Sequence, residues 1–186
     1  MAWRIGQRQA QRPMRRRIVV AAEGEVTEPQ YFQRLNSMCA DAVFDIVENL
    51  GNGSDPRSVL KRMKEHLREY PLSDGDEAWI VIDRDKWPDD ALGDVAAWVS
   101  RNSAYGLAVS IRRFEDWLRL HVEGDADALR RYRDFLCGKD KHVPEDFVTK
   151  ERVLAAVGKA RRRFQTAMTV GNVFQVLDSF FKRPQD

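Results

Sequence analysis

Hydrophobic positions along the chain alternate between short apolar runs and longer segments of helical spacing. The short runs predict four strands, at residues 17–22, 43–47, 78–82 and 105–109. The first run is rich in β-branched residues, the second alternates apolar and polar positions, and the third is the most apolar. Elsewhere, apolar residues recur three or four positions apart, which predicts helices. The expected helices are one with Thr27 as its N-cap, one capped by Ser54 or Asp55, and segments at 91–99, 114–122, 127–136, 150–164 and 172–181.

Strands that alternate with helices predict an α/β fold in which helices cover both faces of a parallel four-stranded sheet. The length of 186 residues suits one domain of roughly 100–200 residues. We expect a basic flexible N-terminal arm at 1–15 and an α/β domain at 16–122. A helical C-terminal extension at 123–186 should pack on the same domain.

The charges are nearly balanced but unevenly distributed. Lys and Arg total 31 and Asp and Glu total 29, which gives a net charge of +2 and excludes a uniformly basic protein. The first 17 residues contain six arginines and no acid, so subtracting six from +2 leaves −4 on the rest of the chain. The arm and the basic residues 159–163 could contact a nucleic-acid backbone. Alternatively, they form a disordered tail and a solvated helix end.

Cysteine content and hydropathy favour a soluble, cytoplasmic protein. Cys39 and Cys137 are too few for a disulfide framework, and no Cys/His cluster indicates zinc. No segment approaches the roughly 20 apolar residues of a membrane helix. The apolar run at 18–22 is too short for a signal peptide and ends at Glu23.

Acidic residues follow the predicted strands. Glu23 follows the first strand, and Asp83 and Asp85 follow the third, where an extended segment would direct both carboxylates to one side. Ligands bind beyond the carboxyl ends of parallel strands, and three clustered carboxylates require a cation. Hard oxygen ligands favour Mg²⁺ or Mn²⁺, the ions of phosphoryl-transfer and phosphodiester chemistry. The alternative is that these acids cap helices or face water.

Three spaced segments carry a resemblance to a known family. They are IVVAAEGEVTEPQYF at 18–32, WIVIDRDKWPDD at 79–90 and SIRRFEDWLRLH at 110–121. The glutamate and aspartates after strands resemble the Toprim domain, and the segments together resemble more closely the EGxxTExxYF, DRD and SNPCFExWLLLH motifs of the RloB-like family. The chain departs from that pattern at Ile111, Arg112 and Arg113, which stand where the family usually has Asn-Pro-Cys.

The resemblance implies a Toprim-like fold and a Mg²⁺- or Mn²⁺-dependent nuclease in restriction or abortive-infection systems of anti-phage defence. Glu23 would take part in acid/base chemistry or metal binding, and Asp83 and Asp85 would hold the metal. Implied partners are DNA or RNA and other proteins of a defence operon. A homodimer is left open.

Further residues are candidates for catalysis. Glu115 would complete the metal shell or act as a general base, or else it is an acid favoured by a helix N-terminus. His121 would shuttle a proton or contact phosphate, although a histidine satisfied in the core is the favoured interpretation. Glu28 also matches the motif, but capping of a helix is the favoured role.

Five basic residues are candidates for binding substrate phosphates. The alternative is that they balance nearby acids or are simply solvated. They are Arg84, Arg112, Arg113, Lys139 and Lys141.

Two functions remain open from the sequence. The first is a metal-dependent nuclease acting on DNA or RNA. The second is a Toprim module that binds nucleic acid or nucleotide without cutting it and regulates a multiprotein defence system, which the altered segment 111–113 motivates. The sequence has no GxxxxGK[ST] motif, which excludes ATP binding by a P-loop.

Overall fold

Four parallel strands form the centre of the computed structural model, which describes residues 15–51, 53–84, 87, 89–110, 112–167 and 172–181. The strands lie in the order β2-β1-β3-β4, and all three pairings are parallel. They are β1 (Arg16–Ala22), β2 (Ala42–Val47), β3 (Glu77–Asp83) and β4 (Tyr105–Ser110). The predicted parallel four-stranded sheet is therefore confirmed.

Helices connect the strands and continue to the C-terminal part of the chain. Those that follow the four strands are α1 (Thr27–Leu35), α2 (Pro56–Glu69), α3 (Asp89–Val99) and α4 (Phe114–Val122). The later helices are α5 (Ala126–Arg131), α6 (Arg133–Leu136), α7 (Lys150–Ala167) and α8 (Val173–Phe181). This arrangement is consistent with a Toprim-like α/β fold followed by a helical extension, as the sequence predicted.

Apolar layers cover both faces of the sheet because successive side chains of a strand point to opposite sides. On one face, Val19 and Ile80 pack with Val59 and Met63 of α2 and Trp98 of α3. On the other face, the neighbouring side chains of β1 join a larger core that includes residues of α1, α4 and the later helices through α8. The later helices thus share a hydrophobic core with the sheet.

Three local expectations differ from the structure or are refined by it. Asp55 is the N-cap of α2, where its carboxylate accepts from the amides of Arg57 and Ser58 at 3.1 Å each. The prediction that Thr27 is the N-cap of α1 is wrong, since Val26 occupies that position and Thr27 is already helical. The segment predicted as one helix at 127–136 is divided at Tyr132, whose ψ of 17° departs from helical geometry.

Most of the predicted N-terminal arm lies outside the described residues. Its last residue, Arg15, donates to the backbone carbonyls of Ala40, Asn36 and Cys39 in the connection between α1 and β2. None of the helices in the described parts of the chain combines the length and the apolar character needed to span a bilayer.

Candidate active site

A cleft of about 530 Å³ lies at the carboxyl edge of the sheet. Its walls come from the segment after β1, the first turn of α1, the end of β3, the start of α4 and the loop after α6. Five acidic residues line it, namely Glu23, Glu25, Glu28, Asp83 and Glu115. The parallel strands therefore bring together acids that are distant in sequence, as expected for the carboxyl ends of adjacent strands.

Glu23 is held between the first and third strands. Its backbone amide donates to the carbonyl of Val81 at 3.0 Å, which extends the pairing of β1 with β3. Its carboxylate is buried, and Oε2 accepts from the amide of Asp83 at 3.1 Å and from the indole nitrogen of Trp87 at 3.2 Å. These two hydrogen bonds fix the Glu23 carboxylate beside Asp83, and they show that the indole N–H of Trp87 contributes to the site.

Asp83 is the last residue of β3 and is buried. Burial, followed by the charge of Glu23, raises its pKa from 3.8 to about 7. The backbone amide of Phe114 and the hydroxyl of Ser110 act in the opposite direction, and the charge of Glu115 adds to the rise. The surroundings of Asp83 thus disfavour its ionised form. A bound cation would favour the ionised form and lower the pKa again.

Glu28 joins this cluster from the first turn of α1. Burial raises its pKa from 4.5 to about 7, with further contributions from the charges of Asp83, Glu115 and Glu23, while its own backbone amide acts against the rise. The Glu28 carboxylate can occupy this position only because residue 24 is a glycine. A Cβ atom on residue 24 would overlap the carboxylate. The sequence favours a capping role for Glu28, whereas the structure places its carboxylate with the other acids of the cleft.

Glu115 enters the cleft from the start of α4 and meets the loop after α6. Only 11% of its side chain is exposed, and its Oε1 lies 3.6 Å from Nζ of Lys141. Gly138, with a φ of 77°, passes so closely that a Cβ atom there would lie 2.9 Å from Oε1 of Glu115. Thr27 holds the same loop by donating its hydroxyl to the carbonyl of Lys141 at 2.9 Å.

The loop at 137–144 has further anchors on α1. The amide of Val143 donates to Oε1 of Gln30 at 3.0 Å, and the Arg34 guanidinium donates to the carbonyls of Val143 and Pro144 at 2.6 and 3.1 Å. The loop therefore forms one wall of the cleft because α1 binds its backbone.

Two of the five predicted phosphate-binding residues line the cleft. Arg113 precedes α4, and Lys141 lies in the loop after α6. Arg84, Arg112 and Lys139 are exposed and do not belong to the lining that the described residues form. The Nζ of Lys139 lies 4.0 Å from a carboxylate oxygen of Asp134 instead.

His121 lies in the aromatic core rather than in the cleft. Burial lowers its pKa to about 3, so the ring is neutral near pH 7. Its Nδ1 donates to the carbonyl of Trp117 at 3.3 Å, which leaves Nε2 to accept from the hydroxyl of Tyr31 at 2.9 Å. The structure therefore does not bring this predicted catalytic residue together with the acids.

Asp85, the third predicted metal ligand, and Ile111 lie outside the described residues. Across the part of the chain that is described, no three Asp, Glu, His or Cys side chains are grouped as ligands of a metal ion. The carboxylates of the cleft nevertheless fit Mg²⁺ or Mn²⁺ in their chemistry, because they are hard oxygen donors whose mutual repulsion a divalent cation would relieve.

The fold and the cleft define a class of protein: an α/β protein whose parallel sheet, consistent with a Toprim-like fold, carries buried carboxylates at its carboxyl edge. The sequence model of a family described as RloB-like protein matches residues 18–170. The chain belongs to the RloB-like family. Searches of curated proteins and of solved structures give no significant match.

Proposed function

We propose that this protein is a metal-dependent nuclease that hydrolyses phosphodiester bonds of DNA or RNA. The observation that carries the proposal is the group of buried carboxylates at the carboxyl edge of the sheet, two of which have pKa values raised to about 7. A protein gains nothing in stability from burying repelling acids, and perturbed carboxylates in a cleft are typical of functional sites.

The proposed roles follow from the position of each side chain. Glu23 and Asp83, with Asp85, would hold Mg²⁺ or Mn²⁺. A bound ion would supply charge stabilisation at the phosphate and a more acidic water. Asp83 would hold a proton in the metal-free protein and release it when the ion binds, because a ligating carboxylate must be ionised. The charge of the ion would also favour the ionised form of the neighbouring Glu28. Glu115 would take part in proton transfer or complete the acidic shell.

Positive charge in the cleft supports a phosphate-containing substrate. Arg113 and Lys141 line the same cleft as the acids. A phosphate bound in the cleft could therefore accept hydrogen bonds from these two cationic side chains. The Nζ of Lys141 is positioned by Glu115 at 3.6 Å and by the anchored backbone of its loop.

The family match supports a setting for this activity. The chain belongs to the RloB-like family. As part of the proposal, we extend to it the restriction and anti-phage defence setting that the motif resemblance implies. Proteins of the same defence system would then be its partners.

The direct test is a cleavage panel of single- and double-stranded DNA and RNA with Mg²⁺, Mn²⁺ or EDTA. We expect cleavage by the full chain only with a divalent ion. Asp83→Asn and Glu23→Gln should each lower the rate by about 100-fold or more, the loss typical of removing one electrostatic group from a reaction centre. Asp74→Asn is the matched control, because Asp74 is exposed in the turn before β3, at the opposite edge of the sheet.

Two results would contradict the proposal. One is metal-dependent cleavage at the wild-type rate by the Asp83→Asn variant. The other is cleavage that persists in EDTA.

A second candidate is a module that binds nucleic acid or nucleotide without cutting it. It is favoured by Arg113 in the cleft, because this residue belongs to the segment where the chain departs from the family pattern. Titration calorimetry separates the two functions. Absence of Mg²⁺ or Mn²⁺ binding at millimolar concentration, together with tight binding of nucleic acid, would favour the module over the nuclease.

A further inference from the structure

A second cavity, of about 580 Å³, forms a groove between α2 and α3 on the face of the sheet away from α1 and α4. We propose that this groove binds the sugar–phosphate backbone of the nucleic acid that enters the acidic cleft, an inference that rests on the proposed function. No residue of the groove lines the cleft, so the two surfaces can be altered separately.

The groove is strongly cationic. Two acids, Glu65 and Asp94, contribute to its lining, against five basic side chains. The basic residues are Arg57, Lys61, Lys64, Arg68 and Arg101. Its surface therefore has an excess of positive charge although the chain as a whole is nearly neutral.

Three of these cations have no acidic partner among the residues that the structure describes. Lys64, Arg68 and Arg101 are exposed and make no ion pair there. The other two do, since Arg57 contacts Asp94 at 2.7 Å and Lys61 lies 4.0 Å from Glu65. The unpaired cations are available to an external anion without the loss of an internal contact.

The basic segment at 159–163, which the sequence offered for nucleic-acid contact, differs in this respect. Lys159 donates to the carbonyls of Leu120 and Glu123 and so caps the end of α4. Arg161 pairs with Asp178 at 2.6 Å, and Arg163 pairs with Glu123. These cations are engaged within the fold, which leaves the groove as the stronger candidate.

The position of the groove connects it to the cleft. Ser54 lines the cleft, and Arg57, three residues later, begins the groove. On the inner side of α2, the buried Arg62 donates to the carbonyls of Ala22 and Gly53 at 2.8 and 2.6 Å. The helix that carries the groove is thus fixed to the end of β1, where the acids are located.

The length of the groove suits a polyanion. Arg57 and Arg68 are eleven residues apart on α2, which corresponds to about 16 Å at 1.5 Å per residue. One strand of duplex DNA advances about 3.4 Å along the helix axis per phosphate and also winds around that axis, so a groove of this length can contact several phosphates rather than one. Cations that repeat at helical spacing along one face of α2 fit such a regular backbone better than they fit a folded acidic protein.

The test neutralises the three unpaired cations together in the full chain. The variant Lys64→Gln/Arg68→Gln/Arg101→Gln is compared with Arg119→Gln/Lys150→Gln/Arg133→Gln, which removes three exposed cations elsewhere. Both carry Asp83→Asn and are measured in EDTA, so that binding is observed without cleavage. Thermal unfolding checks that each variant is folded. The probes are 30-nucleotide single strands and 30-base-pair duplexes of DNA and RNA, titrated with salt.

We expect the groove variant to bind the 30-mers about 10- to 100-fold more weakly near 0.1 M salt, with the slope of log affinity against log salt reduced by about 2 to 3. The control should retain its slope. A 6-nucleotide probe confined to the cleft should be bound equally by both variants.

The outcomes separate this inference from the proposed function. An unchanged affinity and salt slope in the groove variant overturns the inference, whether or not the wild type cleaves. Loss of affinity in the groove variant of a chain that never cleaves supports the surface and counts against the nuclease. Groove-dependent binding of a poly-glutamate peptide, without binding of nucleic acid, overturns the inference in favour of an acidic protein partner.

Discussion

Glu28 and Glu115, two of the buried acids of the cleft, are carried by the same two helices as the buried pair formed by His121 and Tyr31. In α1, Glu28 precedes Tyr31 by three residues, and in α4, Glu115 precedes His121 by six. The histidine and tyrosine satisfy each other through a hydrogen bond of 2.9 Å, as buried polar groups normally do. Burial, with further contributions from the charges of Asp83, Glu115 and Glu23, instead raises the pKa of Glu28. Within one pair of helices, the histidine and the tyrosine form a satisfied pair in the core, whereas the two glutamates line the acidic cleft and belong to the candidate site.

The largest expected effect is the pH dependence of the free energy of unfolding. The cleft acids and His121 contribute to it in opposite directions. Asp83 and Glu28 have pKa values raised from 3.8 and 4.5 to about 7, so the folded chain holds their protons where the unfolded chain has lost them. Their contribution to the free energy of unfolding is full below about pH 4 and is lost as pH rises through 7. The pKa of His121 is lowered from 6.5 to about 3, so its contribution rises as the pH increases from about 3 to about 6.5 and is complete above that pH.

A comparison of variants isolates the acids. The difference in the free energy of unfolding between the metal-free wild type and Glu28→Gln should shift against the wild type by on the order of 3 kcal/mol between pH 4.5 and 7.5. Chemical denaturation in EDTA at several pH values measures it, and millimolar Mg²⁺ should reduce the shift. A difference that stays constant across pH would contradict the raised pKa of Glu28 in the metal-free protein.

A smaller effect on stability is expected from substitution of Gly24, the residue whose missing side chain leaves room for the Glu28 carboxylate. Gly24→Ala should destabilise the protein by about 1 to 3 kcal/mol and lower metal-dependent cleavage, because the new methyl group overlaps the Glu28 carboxylate. Gly93→Ala is the control, since a Cβ atom there meets nothing within 4 Å in the helix α3. That change should stabilise the protein by about 0.5 to 1 kcal/mol. Equal effects of both substitutions on stability and cleavage would contradict the steric argument.

The smallest effect on cleavage is expected from a substitution in the hydrogen-bonded pair of Tyr31 and His121. Tyr31→Phe removes the donor to Nε2 of His121 and should cost about 1 to 3 kcal/mol of stability. Cleavage per folded molecule should remain unchanged, because both rings lie in the core. Denaturation and single-turnover cleavage measure the two quantities. A tenfold loss of cleavage at unchanged stability would restore the prediction that His121 moves a proton in the reaction.

The fold could be predicted from the sequence because strongly apolar, β-branched runs separate cleanly from helical segments. The strand predicted at 78–82 is β3 of the structure, one residue longer at each end. The break at Tyr132 was not predictable from spacing, since apolar residues continue with helical periodicity across it.

The candidate site was predictable only in part. Glu23 and Asp83 could be found because residues that directly follow parallel strands share one edge. Glu28 was missed because an acid in the first turn of a helix usually serves the helix itself, and burial is not visible in a sequence. Lys139 and Lys141 are indistinguishable in the sequence, on either side of Asp140. In the structure, the bonds from α1 to the loop and the contact of Lys141 with Glu115 direct Lys141 to the cleft.

The loop at 137–144 has a consequence for protein engineering. It carries Gly138 and Lys141 into the cleft, yet it follows α6 and is bound by residues of α1. The residues that surround the reaction space are therefore discontinuous in sequence, and a minimal transplantable unit would have to extend at least from β1 through Pro144. A chimera joined after α4 would transfer every acid of the cleft and none of the backbone that closes over them.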